Sequence, residues 1–192
     1  RGTVRAVLLG VATITGVTAA AIGALALPEV LAVPGLSDPG PFTTYGLSFV
    51  RAAGEIAAMV AIGHFLFAAF LVPPQSSGVL DADGYRALRV GGAACAVWAV
   101  CAALLVALTI SDVSGVPLTE LTPLDVWSAA DLVETSAAWR TTSILAAVVA
   151  VASLTVLRWS WTPALLAGGL MTLMPLAVTG NSSSGGSHDI AT

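Results

Sequence analysis

The chain alternates long apolar runs with short polar connections, and five of the runs are of membrane-spanning length. A run of roughly 20 apolar residues crosses the hydrocarbon core of a bilayer as an α-helix. In hydrocarbon every backbone N–H and C=O must be bonded within the protein, which favours helices for such runs. The predicted spans are residues 4–27, 47–72, 86–110, 139–157 and 161–178. We therefore predict an all-α integral membrane protein, with five transmembrane helices in a single domain over residues 1–192.

The first run has some features of a signal peptide, because Arg1 and Arg5 precede or open it and residues 24–26 (ALA) resemble a cleavage site. It is longer than the apolar region of a typical signal peptide, and further spans follow it. A retained first helix is the better interpretation.

Arginine positions predict the orientation of the spans. Membrane proteins carry their excess of basic residues on the cytoplasmic side. Arginines lie before the first span, between the second and third, and between the fourth and fifth, which places those three locations inside. We predict a cytoplasmic N-terminus and an acidic outer face. The arginines on the predicted inner side are Arg1, Arg5, Arg86, Arg89 and Arg158. The acidic residues on the predicted outer side are Glu29, Asp38, Asp112, Glu120, Asp125, Asp131, Glu134 and Asp189.

The longest connection, residues 111–138, lies on the predicted outer side. Leu124, Trp127, Leu132 and Trp139 recur among acidic residues in a loosely helical pattern. This favours a short helix at the membrane interface, with tryptophan at the level of the lipid headgroups. A loop that covers the bundle is the alternative.

Composition supports a membrane protein and excludes other classes. Hydrophobic residues make up 57% of the chain and charged residues 9%, against about 25% charged in a typical soluble domain. A net charge of −4 and two cysteines argue against a nucleic-acid partner and against a disulfide scaffold. Membrane lipids are the expected surroundings.

Arg51 and Glu55 are four residues apart on the second span and therefore share a helix face. A carboxylate at that depth is costly, so we expect the pair to face the interior of the bundle. It serves either as part of a cation or proton pathway or as a structural ion pair. His64, on the opposite face of the same span, is expected to be a hydrogen-bonded core histidine.

Cysteine and methionine residues supply the soft donors of the chain. Cys95 and Cys101 are too far apart along a helix to form a disulfide, so we interpret them as small buried residues. Met171 and Met174 are three apart on the fifth span, and thioethers suit Cu(I). Both lie in the depth layer of Glu55 and Cys101, with Met59 slightly deeper. The alternative is that the two methionines fill space in the bundle.

Residues 179–192 (TGNSSSGGSHDIAT) replace apolar sequence with glycine and serine. They lack the lysine of a phosphate-binding loop, and no strand precedes them. His188 and Asp189 are the strong metal-ligand candidates in this segment. From spacing alone the segment is a solvent-exposed loop.

Three stretches together resemble the membrane region of the copper resistance D (CopD) family. They are SFVRAAGEIAAMVAIGHFLFAAFLVPP, GYRALRVGGAACAVWAVCAALLVALTISDVSGVPL and the C-terminal TGNSSSGGSHDIAT. The likeness is closest to the actinobacterial form fused to a caa3-type cytochrome c oxidase assembly domain. The resemblance implies a copper ion, and as partners cytochrome c oxidase or a periplasmic copper-binding protein.

The resemblance also implies a role for the C-terminal segment. In the family the His-Asp pair opens a further transmembrane helix, so His188 would cap a sixth span and Asp189 would lie in its first turn. The chain would then be a fragment of a longer protein. The family typically has histidine where this chain has Asn181, a poorer metal ligand, which weakens the transfer of copper binding to His188.

Two functions follow as hypotheses. The first is copper transport or delivery, with metal ligands His188, Met171, Met174 and Asp189. The second is a structural or interaction subunit of a respiratory or assembly complex that binds no metal. The sequence shows no nucleophile–base pair or cofactor motif, so we do not expect an enzyme.

Overall fold

The computed structural model describes residues 39–185. The predicted span 4–27 lies outside these residues, as do His188 and Asp189. The orientation of the chain in the membrane stays a prediction, and "inner" and "outer" below refer to it.

The described residues form a helical bundle. Helix α1 (Pro41–Leu66) continues into a π-helical turn (Phe67–Leu71) and is followed by α2 (Ala82–Ser114), the short α3 (Pro123–Ala129) and α4 (Glu134–Thr155). A 3₁₀ turn (Trp159–Trp161) then leads into α5 (Thr162–Met171) and α6 (Met174–Gly185). Four segments of the described chain are long and apolar enough to cross a membrane: Pro41–Leu71, Ala82–Ser114, Glu134–Thr155 and Trp159–Thr179.

Local sequence explains where the two longest helices begin and end. Gly40, with φ of 87°, precedes α1, and Pro41 occupies the first turn, where its missing N–H costs nothing. The side chain of Asp81 accepts a hydrogen bond from Gly84 N and caps α2. Gly115 ends α2 in the left-handed region, with φ of 66°.

Helix α2 is the centre of the bundle, with α1 on one side and α4 on the other. Small residues allow this close packing. Gly54 of α1 lies against the ring of Trp98, where an added Cβ would come within 2.4 Å of a ring atom. Trp98 itself is 1% exposed and packs edge-to-face against Trp139 of α4, with ring centroids 5.8 Å apart.

The two inner connections are bonded to each other. Leu80 N donates to Leu157 O at 3.0 Å, and Trp159 N donates to Gly78 O at 3.1 Å. The indole Nε1 of Trp159 donates to Ala69 O in the π-helical turn at 3.1 Å. These bonds join the inner ends of α1, α2, α4 and α5.

The outer connection contains the predicted short helix, α3. Thr122 and Asp125 form a capping box at its start, with each side chain bonded to the other residue's backbone N–H. Leu124, Trp127 and Leu132 are exposed, whereas Trp139 is 3% exposed and belongs to the core face of α4. Assigning Trp139 to the interfacial pattern was wrong, because it packs on Trp98. The interfacial position of α3 stays a prediction.

The predicted span 161–178 matches the segment Trp159–Thr179, but its helix is interrupted between α5 and α6. One expectation needs correction: residues 179–185 were predicted to be loop but continue α6. Helices α1, α2 and α4 begin before the predicted spans, because polar residues such as Asp83 and Glu134 still have helical backbone, and α4 ends at Thr155.

Candidate functional site

The most unusual feature of the described bundle is the break in its last membrane helix, at Thr172 and Leu173. Thr172 N donates to Gly168 O and Gly169 O at 3.2 Å each, and Leu173 N donates to Leu170 O at 3.1 Å, which tightens the end of α5. Pro175 follows in the first turn of α6 and has no N–H to donate to the carbonyl of Met171. The regular α-helical ladder therefore stops here and restarts.

Buried hydrogen bonds from two other helices hold the break. Trp98 Nε1 donates to Thr172 Oγ1 at 3.3 Å, and that hydroxyl donates to Gly169 O at 2.7 Å. Thr142 Oγ1 donates to the carbonyl of Thr172 at 3.2 Å. We call Trp98, Thr142 and Thr172 the break clamp. Because all three side chains are buried, the break is part of the core and not a frayed helix end.

The break clamp lies about halfway through the bundle, since Trp98 is near the middle of α2. Membrane transporters often bind ions where a transmembrane helix is discontinuous near the bilayer midplane, because backbone there is released from the helical ladder. The break therefore has the position of such a site.

Met171 and Met174 flank the break, one at the end of α5 and the other at the start of α6. Their predicted i, i+3 relation within a single helix is wrong, because the interruption lies between them. Both are exposed, at 56% and 55%. Their thioethers therefore point away from the described core and are free to meet ligands supplied by another part of the protein.

The described residues do not complete a metal site around the break. Within residues 39–185 no group of three or more His, Cys, Asp or Glu side chains is arranged to hold a metal ion. Cys101, proposed as a nearby donor, is partly buried between α2 and Gly54 of α1. Met59 is 64% exposed and lies on α1. A copper site at the break thus needs donors from outside the described part of the chain.

The predicted Arg51–Glu55 pair forms, but not where it was expected. Arg51 Nε donates to Glu55 Oε1 at 3.0 Å, and the two side chains are 66% and 54% exposed. They do not face the interior, because Gly54, Ala57 and Ala58 occupy the face of α1 that packs on α2. Small residues there permit a close approach that an ion pair would prevent.

Arg51 also borders a cavity of about 380 Å³ near the outer end of the bundle. Asp112, Ser48 and Thr109 line the same cavity, but most of its lining is apolar and includes Trp139. The cavity therefore places one cationic and one anionic side chain beside an apolar wall.

His64 is hydrogen-bonded as expected but is not a core residue. Its Nδ1–H donates to Val60 O at 2.8 Å, and the ring is half-buried. It lines a groove of about 580 Å³ between α1 and α2, together with Met59, Gly63 and Arg86. Cys95 is buried and Cys101 partly buried, and both are free thiols, as expected for small packing residues.

An ion pair at the outer end of α4 was not predicted from the sequence. The guanidinium of Arg140 donates to Asp131 Oδ1 and lies 5.4 Å from the centre of the Trp127 ring. The hydrogen bond from Arg140 holds the pKa of the Asp131 carboxyl below its ordinary value. The side-chain hydrogen bond from Thr122 likewise lowers the pKa of Asp125. These two carboxyls therefore stay charged further into the acidic range than free aspartates do.

Comparisons with known proteins agree with these features. A family model described as "Copper resistance protein D-like, N-terminal domain" matches residues 42–188. An uncharacterized protein of Mycobacterium leprae is 28% identical over 92% of this chain and 27% of its own length. Uncharacterized proteins of Mycobacterium bovis and Mycobacterium tuberculosis are each 27% identical over 96% of this chain and 28% of their own length. The chain therefore spans little more than a quarter of these relatives. No solved structure matches significantly.

Proposed function

Because the chain belongs to the copper resistance protein D-like family, whose N-terminal domain it carries, we propose that it takes part in copper transport across, or delivery along, the bacterial cytoplasmic membrane. The family supplies the link to copper. Four apolar helices in the described residues supply the link to the membrane.

The observation that carries this proposal is the broken helix with Met171 and Met174 at its two ends. Thioether sulfur is a soft donor that binds Cu(I) and discriminates against hard ions. Two thioethers alone bind Cu(I) weakly, which suits a transport site from which the ion must also dissociate. The break clamp fixes the backbone on which they are carried.

The remaining donors of this transit site come from outside the described residues. His188 and Asp189 are the candidates on this chain, although Asn181 in place of a second histidine makes that contribution weaker. The relatives are more than three times as long as this chain, so we propose that further donors come from sequence of that kind outside it. We propose that the copper is supplied for the assembly of cytochrome c oxidase or exchanged with a periplasmic copper-binding protein. The sequence resemblance to the CopD family supports this step.

A second candidate is a scaffold that binds no metal. Asn181 favours it, as does the lack of a group of three His, Cys, Asp or Glu ligands within residues 39–185. In that case Met171 and Met174 would contact a partner helix as apolar side chains.

Replacing both methionines separates the two candidates. In the full-length protein, Met171→Leu with Met174→Leu keeps apolarity and approximate volume and costs less than about 1.5 kcal/mol of stability. We expect Cu(I) binding, measured by competition with a chromophoric chelator, and copper-dependent oxidase activity to fall at least several-fold. His188→Ala is expected to reduce both by less.

A matched control uses the leucines beside the break. Leu170→Val with Leu173→Val changes two partly exposed side chains and keeps both thioethers, so copper binding should stay at the level of the unchanged protein. If the methionine variant accumulates normally and retains full copper binding and activity, the transport proposal fails and the scaffold takes its place.

A further inference from the structure

The side of α1 opposite its buried alanines carries a regular apolar stripe. Its members recur at alternating spacings of three and four residues, which is the seven-residue repeat of helices that pack along each other with knobs in holes. They are Phe42, Tyr45, Phe49, Ala52, Ile56, Met59, Gly63 and Leu66. We call these residues the α1 stripe.

Most of the α1 stripe is uncovered within the described residues, although Met59 and Gly63 border the groove shared with α2. Phe42 is 72% exposed, Phe49 55% and Met59 64%. The opposite side of the helix, with Ala57, Ala58 and Ala61, is buried against α2. Helix α1 thus has two packing faces, and the described bundle occupies one.

The ion pair beside the stripe indicates that lipid alone does not cover this face. Arg51 and Glu55 lie along its edge and are both more than half exposed. Glu55 is 14 residues after Pro41, about 21 Å along the helix at 1.5 Å per residue. Charged side chains at such depth are costly against lipid tails and are found facing protein or water.

The apolar run 4–27 of the same chain has the complementary pattern. Small residues recur in it at the same alternating spacings, and leucines stand at the two ends of the series. Small residues let a neighbouring helix approach closely and accept its larger side chains. The series is Leu9, Thr13, Gly16, Ala20, Gly23 and Leu27.

We propose that residues 4–27 pack antiparallel along the α1 stripe and cover the Arg51–Glu55 pair. Elements that are consecutive in the chain are usually neighbours in space, and a connection of residues 28–40 is long enough for a reversal. This inference concerns assembly and does not depend on the copper proposal.

The inner end of the described span, at Leu71, sets the register. With residue 4 placed level with Leu71 in the proposed antiparallel arrangement, Gly16 lies opposite Met59 and Ala20 opposite Ile56. Each pair matches a small residue with a larger one. Thr13 then lies opposite Gly63, where the groove of about 580 Å³ leaves room for a side chain from a neighbouring helix.

Disulfide cross-linking in native membranes tests this register. The full-length protein carries Cys95→Ala, Cys101→Ala and a protease site inserted between residues 28 and 40. Gly16→Cys with Met59→Cys is oxidised with iodine and then cleaved at that site. We expect most of the two fragments to stay joined until they are reduced.

The control pair is Gly16→Cys with Ala58→Cys. Ala58 is one residue from Met59 but is 3% exposed and faces α2, so its fragments should separate. If Gly16→Cys prevents accumulation, Ala20→Cys with Ile56→Cys decides the question in the same assay.

Two results would overturn the proposal. A reducible dimer from Met59→Cys alone would assign the stripe to a second copy of the chain. Free reaction of Met59→Cys with a membrane-permeant maleimide, with no cross-link from either stripe pair, would assign it to lipid.

Discussion

At the scale of single residues, spacing predicted which side chains pair but not the direction in which they point. Arg51 and Glu55 bond as their four-residue separation requires. Their exposure was unpredictable from that separation, because it depends on which face of α1 packs on α2. The face that packs on α2 contains Gly54 and two alanines. Such small residues hardly change a hydropathy pattern, so the pattern does not reveal this face.

The pair Asp131–Arg140 gives a prediction at the same scale. Its hydrogen bond lowers the pKa of Asp131 in the folded protein. The stabilisation is therefore fully present above the unfolded value of 3.8 and is lost as the pH falls through the lowered folded value. In thermal unfolding in detergent, Asp131→Asn should melt slightly below the unchanged protein at pH 7.

The difference between the two melting temperatures should shrink as the pH falls below 3.8. Glu120→Gln serves as the control, because Glu120 is an exposed acid of the same connection whose side chain does not contact Arg140. A difference for Asp131→Asn that grew on acidification would contradict the assigned sign.

At the scale of helices, hydropathy located the described spans but missed the interruption of the last one. The run 161–178 is apolar throughout, so periodicity alone treats it as one helix. The available signal was Pro175, which removes a backbone donor. Trp98 and Thr142 hold the break, and they are 74 and 30 residues away from Thr172 in the sequence. No local sequence pattern predicts contacts at such separations.

Thr172→Val tests the break clamp. The change keeps the shape of the side chain but removes the hydroxyl that accepts from Trp98 Nε1. A buried donor left without an acceptor costs about 1–3 kcal/mol, so we expect the free energy of unfolding in detergent to fall by that order. Thr141→Val, at an exposed hydroxyl bonded to Ala137 O, should change it by less than about 0.5 kcal/mol.

If Thr172→Val and Thr141→Val have the same small effect, the buried hydrogen bond does not hold the break. The copper assay of the methionine variants would be unaffected by that result, because it measures the thioethers and not the clamp.

At the scale of the whole molecule, the distribution of arginine predicts the orientation. Ser76 lies in the connection before α2, and Leu124 lies in α3 on the other side of the bundle. In a background without native cysteines, Leu124→Cys should react with an impermeant maleimide in intact cells. Ser76→Cys should react after the cells are broken open. Reaction of Ser76→Cys in intact cells would contradict the predicted orientation.

The hydrogen bonds between the two inner connections have a mechanical consequence. They fasten four helices at one end of the bundle, so α5 cannot turn or slide without breaking the bonds of Trp159. Helix α6 follows the interruption at Leu173, packs on α4 and takes no part in these inner bonds. We therefore expect any movement within this span to be a shift of α6 along α4. Such a shift would change the distance between the sulfur atoms of Met171 and Met174 while the inner end of the bundle stays still.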